Sequence, residues 1–332
     1  MTELRQDPTT DDWVIIAHER AKRPYDYVMR REDTSSPAFV ENCPFCPGNE
    51  RLTPPEVAVY REGSGTSSWK IRVVPNKYPA LGPHGTTEER VVEGRFRAMD
   101  GSGFHEVVIE SPLHNQTLSR MSTSEIESIV RMYRDRYKVL GRERETKLIV
   151  IFKNHGIAAG TSIEHPHSQI VAAPVVSPQI TKKCHVALEH YKKTGRCLYC
   201  DINEWELDSR TRLVTESGRF LVFHPYASRY PFETWVSPKR HNACFGNIDS
   251  EEIRELGKTL QWIMEKIDRA LGKPDFNYVF HTAPVEDEIS EHLHWYIQIV
   301  PRTWTLGGFE MGSGIYINTA VPEETAAFMR TI

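Results

Sequence analysis

Two stretches of the chain repeat apolar residues every three to four positions behind a capping signal. In the first, Ser122 stands three residues before Glu125, and Ile126, Ile129, Val130, Tyr133, Tyr137 and Leu140 follow. In the second, Asp249 stands three residues before Glu252, and Ile253, Leu256, Leu260, Ile263, Met264 and Ile267 follow. A side-chain acceptor at the N-cap and a carboxylate three positions on satisfy the free amide donors of a first turn, so both stretches predict amphipathic helices. Each is followed by a strand-like apolar run, Leu148 to Phe152 and Phe276 to Phe280.

The two capping residues lie 127 positions apart. The same spacing links His114 in Ser111-Pro112-Leu113-His114 with His241 in Ser237-Pro238-Lys239-Arg240-His241. It also links His165-Pro166-His167 with His292-Leu293-His294. Two C-x-x-C pairs, Cys43/Cys46 and Cys197/Cys200, lie 154 apart, so the first half holds 27 more residues between its cysteines and its first histidine. The Gly/Ser-rich stretch from Glu62 to Ser68 is a natural place for part of that insertion. Four elements in step predict a duplicated unit. The fold expected is α+β, with antiparallel sheets and flanking helices, either one extended sheet or two facing ones. The halves are placed at 1–180 and 181–332, joined near residues 175 to 195.

Composition narrows the class. Of 332 residues, 39% are hydrophobic and 26% charged, the balance of a soluble globular chain. The apolar runs are too short to cross a bilayer, and the first residues carry no apolar core or cleavage site, so a cytoplasmic protein is expected. A formal net charge of -4 argues against a nucleic-acid partner, though a small anion held by local cations remains compatible with it. Six cysteines are too few for a disulfide scaffold, and four of them fall in the two C-x-x-C pairs.

Those pairs suit a metal. Zinc takes four tetrahedral N or S ligands, and C-x-x-C presents two thiolates from one turn. The first set expected is Cys43, Cys46, His114 and His165; the second is Cys197, Cys200, His241 and His292. A redox pair would not need histidines recurring in step with it. Two zinc ions per chain are expected, with iron also open to the second site. Cys184 and Cys244 read as plain thiols.

Alternate side chains of a strand share one face, which brings His165, His167 and Gln169 together. This suits covalent nucleotidyl transfer. His165 is pinned by metal, His167 attacks phosphorus through one ring nitrogen, and Gln169 donates to a non-bridging oxygen. Asn154 and Gly160-Thr161-Ser162 offer donors and close backbone approach for a diphosphate. The second half continues Trp295-Tyr296 after its H-x-H, where the first has Ser168-Gln169, so chemistry is expected in the first half alone.

The motifs Asn42-Cys43-Pro44-Phe45-Cys46, Val74-Pro75-Asn76-Lys77-Tyr78-Pro79-Ala80-Leu81, Ser111-Pro112-Leu113-His114 and His165-Pro166-His167-Ser168-Gln169 resemble those of galactose-1-phosphate uridylyltransferases, a duplicated branch of the histidine-triad superfamily. The resemblance runs from about residue 7 to residue 330. It implies a ping-pong reaction of galactose metabolism, in which His167 takes a uridylyl group from UDP-glucose and passes it to galactose 1-phosphate. It also implies a homodimer. Asn76 would meet the nucleoside; Asn154, Gly160, Thr161, Ser162 and Gln169 would hold phosphate; Arg20 and Arg23 would meet the hexose phosphate. Phe309 and Glu310 fall in the expected sugar-recognition loop, which reaches a partner subunit. His281 falls where many members have a ligand of their second metal, and the second Cys pair leaves the roles of His281 and His294 open. Ser168, Lys77 and Phe309 depart from the usual Gly, Asp and Tyr. Ser168, Phe309-Glu310 and the second C-x-x-C are similar instead to the ADP-glucose phosphorylase branch, whose acceptor is inorganic phosphate. A zinc protein that only binds partners is a third reading, against which the His167/Gln169 pair speaks.

Overall fold

The computed structural model describes residues 1–20, 27, 36–61 and 68–332, with Arg20 described in its backbone alone. The first half runs β1 (Glu3–Gln6), β2 (Trp13–Ile16), β3 (Ala58–Arg61), β4 (Trp69–Pro75), β5 (Arg90–Val92), β6 (Phe96–Ala98), β7 (Phe104–Ile109), α1 (Thr123–Leu140), β8 (Leu148–His155) and β9 (His167–Ala173). The second runs α2 (Pro178–Thr194), α3 (Leu198–Ser209), β10 (Leu213–Glu216), β11 (Phe220–Phe223), β12 (Thr234–Pro238), α4 (Ser250–Leu271), β13 (Phe276–His281), β14 (Tyr296–Pro301), α5 (Gly308–Ser313), β15 (Tyr316–Asn318) and α6 (Pro322–Thr331).

Both expected capping boxes form. Ser122 accepts from the Glu125 amide and Asp249 from the Glu252 amide, and each glutamate accepts in return from the capping residue's own N–H. The apolar positions of α1 and α4 are buried together in the main core. The helices touch closely because Gly257 carries no side chain: a Cβ there would sit 3.1 Å from the Glu127 amide nitrogen.

The halves share one ten-stranded sheet in the order β10-β11-β12-β14-β13-β8-β9-β7-β4-β3. Every neighbouring pair is antiparallel, and the halves join where β13 pairs β8, with Val279 opposite Phe152. Ile149, Ile151, Ile170, Phe280, Ile297 and Ile299 point from the sheet into the core with α1 and α4. The opposite face differs between the halves. A cluster containing Ala187 and Leu198 of α2 and α3 covers Phe223, Trp235 and Tyr296 in the second half. In the first, Cys43, Phe45 and Cys46 pack on Val74, Val107 and Ile109. A small sheet, β1-β2-β15, lies apart from the large one. Among the described residues no helix is long and apolar enough to cross a membrane.

Candidate active site and metal centres

The chain turns tightly at Cys43-Pro44-Phe45-Cys46, where the Cys46 amide donates to the Cys43 carbonyl at 3.2 Å. This turn brings both thiols to His114 and His165, and all four residues are buried. The Nδ1 atoms of His114 and His165 each lie 3.6 Å from Cys46 Sγ. Zinc–sulfur and zinc–nitrogen bonds at tetrahedral angles require about 3.5 Å between such atoms, so the donor set fits a zinc-sized ion. The Val40 amide donates to Cys46 Sγ at 3.3 Å. Nε2 of His165 donates to the Ser111 carbonyl at 2.7 Å, leaving Nδ1 as the ligand atom. Burial pushes this imidazole down to about 4, so the ring is neutral, the form a metal binds.

β9 begins one turn of chain beyond this cluster, at His167. Nδ1 of His167 donates to the carbonyl of His165 at 2.8 Å, which leaves the lone pair on Nε2. Burial lowers the pKa of this ring below its ordinary value, and Phe45 packs against it with ring centroids 5.2 Å apart. The result is a neutral imidazole whose tautomer is set by the backbone.

Two positions on, Gln169 has a partner that the motif alone does not reveal. His105 of β7 accepts from the Ala80 amide through Nδ1 at 3.0 Å, so its Nε2 carries hydrogen and donates to Gln169 Oε1 at 2.7 Å. Among the described residues the NH2 group of Gln169 has no partner, and it is available to a ligand oxygen. The Asn76 amide nitrogen stands 3.2 Å from the same His105 Nε2. Strand alternation over Phe104-His105-Glu106-Val107 is the signal that could have found His105, because it shares a face with Val107, which lies opposite Gln169.

Behind β9 lies a buried polar network. Lys153 Nζ donates to Glu110 Oε2 at 2.5 Å and to the backbone carbonyl of His167 at 3.0 Å. Tyr133 donates to Glu110 at 2.8 Å and Ser168 also bonds this carboxylate, with Tyr278 Oη 2.6 Å from Tyr133 Oη. Burial alone would raise the Glu110 pKa, but Lys153 and these hydroxyls hold it below the ordinary value. An ion pair this deep survives only when its remaining hydrogen-bonding positions are filled, as they are here.

The second half repeats the plan with a shifted register. Cys197, Cys200 and His241 cluster, with His241 Nδ1 3.4 Å from Cys200 Sγ. The ring of His292 is not brought into this cluster: it lies against Tyr191 with centroids 6.3 Å apart, and it is the backbone carbonyl of His292 that meets the Cys197 thiol. His294 neighbours the cluster, its ring 5.6 Å from that of His241 as His165 stands 5.2 Å from His114, but its ring nitrogens are not gathered with the other three ligand atoms. Its buried Nε2 has no hydrogen-bond partner among the described residues. Opposite Val279, the ladder holds Gln298; opposite Phe152 it holds Gln169. Tyr296 packs on Tyr199 of its C-x-x-C turn as His167 packs on Phe45. The structural counterparts of His165, His167 and Gln169 are therefore His294, Tyr296 and Gln298. The second half keeps the glutamine and lacks the histidine, the reverse of what linear spacing suggests. Strand register follows the ladder and the buried face, and two extra residues before β14 shift every pairing inferred from linear spacing.

The remaining expected residues are dispersed. Asn154, at the end of β8, accepts from Asn277 at 2.7 Å. Gly160 has a φ of +87° and closes a short turn whose first residue, Gly156, admits no side chain, since a Cβ would lie 1.6 Å from Asp275 Oδ1. Thr161 bonds the Ile163 carbonyl at 3.1 Å, and Ser162 is exposed. Phe309 is half exposed on α5, which packs on β15, and Glu310 is buried and accepts from the Gly307 amide at 3.1 Å. Arg23 and the side chain of Arg20 lie outside the described residues. His281 bonds Gln298 rather than joining the second Cys–His cluster.

One antiparallel sheet built from two like halves, each with a Cys–His cluster beside its strand of histidines, defines a duplicated α+β protein. The family described as "Galactose-1-phosphate uridyl transferase, N-terminal domain" matches residues 1–177. A domain of unknown function, DUF4921, matches residues 110–331. An ADP-glucose phosphorylase of Arabidopsis thaliana is 38% identical over 99% of this chain and 93% of its own length. A galactose-1-phosphate uridylyltransferase of Thermotoga maritima is 31% identical over 99% of this chain and 98% of its own. The crystal structure of the Arabidopsis thaliana ADP-glucose phosphorylase with bound ADP-glucose superposes with a TM-score of 0.84 at 36% identity, covering 100% of this chain and 99% of that one. The chain belongs to the galactose-1-phosphate uridylyltransferase family, a family of nucleotidyltransferases and phosphorylases.

Proposed function

We propose that this chain transfers a nucleotidyl group from a nucleotide sugar through a covalent bond to His167. One observation carries the reading: Nδ1 of a neutral, buried His167 is tied to the His165 carbonyl, which leaves Nε2 as the nucleophile. In the first step Nε2 bonds the α-phosphorus while the bond to the bridging oxygen breaks, and hexose 1-phosphate leaves with that electron pair. The Nδ1–H keeps its carbonyl partner, so the positive charge of the nucleotidyl-imidazole is stabilised without moving a proton. A phosphate oxygen of the acceptor then attacks the same phosphorus and returns the lone pair to Nε2. Gln169, with its carbonyl end held by His105, donates to a non-bridging oxygen in both steps.

For donor and acceptor, we read ADP-glucose and inorganic phosphate. The 38% identity to an ADP-glucose phosphorylase supports this, as do Ser168 and the second C-x-x-C pair. UDP-glucose with galactose 1-phosphate is the second reading, supported by the 31% identical uridylyltransferase. Zinc fits the first Cys–His set, and the second would hold it with His294 rather than His292 as fourth ligand; iron is the alternative ion for the second set. Bound there, zinc ties the C-x-x-C turn to the start of β9 or β14. Because α5 packs on β15, a role for Phe309 and Glu310 in sugar recognition rests on a homodimer in which they reach the partner's cleft.

The test uses ADP-glucose and UDP-glucose carrying label in the α-phosphate. Acid-labile label retained on the protein from ADP-glucose, released as ADP by inorganic phosphate, is expected. His167→Ala should retain none while keeping its metal content. Label retained by that variant would sink the mechanism; label from UDP-glucose alone would establish the second reading.

A further inference from the structure

The second half carries a cavity of about 670 Å3 lined by residues of α2, α3 and the sheet. Small-molecule sites typically enclose about 300–1,000 Å3. It opens on the face that corresponds, through the duplication, to the His167 face. Its floor repeats that site without the nucleophile. His281 Nε2 donates to Gln298 Oε1 at 2.9 Å, and Gln298 Nε2 donates to Glu233 Oε1 at 2.7 Å. His281 thus does for Gln298 what His105 does for Gln169, and Glu233 takes up the amide N–H that has no partner in Gln169 among the described residues. Tyr296, in the place of His167, is not itself a lining residue: it is stacked on the lining Trp235 at 4.1 Å and receives the lining Lys183 Nζ at 2.8 Å.

The charges of the lining select the guest. Arg212 is held by Glu206 at 2.8 Å, and Arg229 by Asp12 at 2.9 Å with Asp7 at 3.7 Å. Asp201 is held by His190 at 2.7 Å and by Arg196. What remains is Lys183 against Glu233, which leaves no excess of cations to take up a phosphate. The walls are aromatic. Trp205 lines the mouth at 66% exposure, and among the described residues neither a ring nor a cation packs on its indole. A free aromatic face beside carboxylates, guanidinium groups and an amide suits a ring with C–H faces and hydroxyl edges.

We propose that this cavity binds an uncharged hexose ring, free or at the end of an oligosaccharide, separately from the His167 cleft. The inference goes beyond the nucleotidyl-transfer reading and does not depend on it. Glucose and maltose are titrated into the full chain by calorimetry and tryptophan fluorescence, beside adenosine, uridine and inorganic phosphate. Saturable binding of glucose or maltose is expected, one per chain. Trp205→Ala should weaken it tenfold or more, a loss of about 1.4 kcal/mol, as should Lys183→Met, while His167→Ala leaves it unchanged. Trp205 is exposed enough to replace without disturbing the core, and melting curves of both variants verify the fold. Absence of saturable hexose binding overturns the proposal, as does binding that survives both substitutions or disappears in His167→Ala. A preference for adenosine, uridine or phosphate at this cavity also overturns it.

Discussion

His167 is held from two sides. Its ring is fixed by the His165 carbonyl, and its own carbonyl is fixed by Lys153, whose ammonium also neutralises Glu110. Lys153→Met removes one charge from a buried pair and should cost about 3–5 kcal/mol of stability. The double variant Lys153→Met/Glu110→Gln should recover much of that stability. Its nucleotidyl transfer should stay slow, with the loss in kcat rather than KM, because the carbonyl of His167 still lacks its donor. A double variant with normal kcat would assign the network to stability alone. A second residue ties stability to pH. Burial pushes the His224 imidazole down to about 3, and its Nε2 is buried without a partner among the described residues. In the unfolded chain it takes up a proton near its ordinary value of about 6.5. The stabilising contribution is therefore complete above about pH 6.5 and is lost as pH falls toward about 3. Unfolding free energies should drop from this group by about 2 kcal/mol between pH 6.5 and pH 5, and His224→Gln should flatten that slope. An unchanged slope would show that other groups dominate.

Helix ends and one glycine turn carry the element scale. The boxes at Ser122 and Asp249 start the two helices that back the whole sheet. Ser122→Ala and Asp249→Ala should each cost about 1 kcal/mol in urea unfolding, with the m-value unchanged. Their effects should add to within about 0.5 kcal/mol if the caps are independent. A shift in m-value would indicate a change beyond capping. Gly156 is a harsher case: its φ is +84° and Asp275 occupies the space a side chain would need. Gly156→Ala should lose about 2 kcal/mol or more and slow transfer as well, because the turn it opens continues to Gly160 and Thr161. A variant with normal Tm and rate would remove that turn from the site.

For the whole molecule, the two Cys–His clusters predict two metal equivalents per chain by elemental analysis, mainly zinc. Cys43→Ser should lose the ion beside β9 and lower both Tm and transfer rate. Cys197→Ser should lose the other and lower Tm with a smaller effect on rate. Retention of two equivalents in either variant would contradict the ligand sets. Structural zinc contributes about 10 kcal/mol in small metal domains. The loss should be smaller here, because the sheet shares a large apolar core with α1 and α4.

Much of this was legible along the chain because local chemistry decided it. The capping boxes, the apolar stripes of α1 and α4, the C-x-x-C turn and the alternation that sets His167 beside Gln169 depend on neighbours within a few residues. The duplication was legible too, as motifs recurring in order. What linear spacing misassigned was the partner in space. Counting residues pairs His292 with His165, but the ladder pairs His294 with it, because hydrogen bonding between β13 and β14 and burial of Ile297 and Ile299 set the register. His105 behind Gln169 and Lys153 behind His167 are 64 and 14 positions distant from their partners. Such contacts follow from which strands lie side by side and which face each turns to the core, and only the tertiary structure decides that.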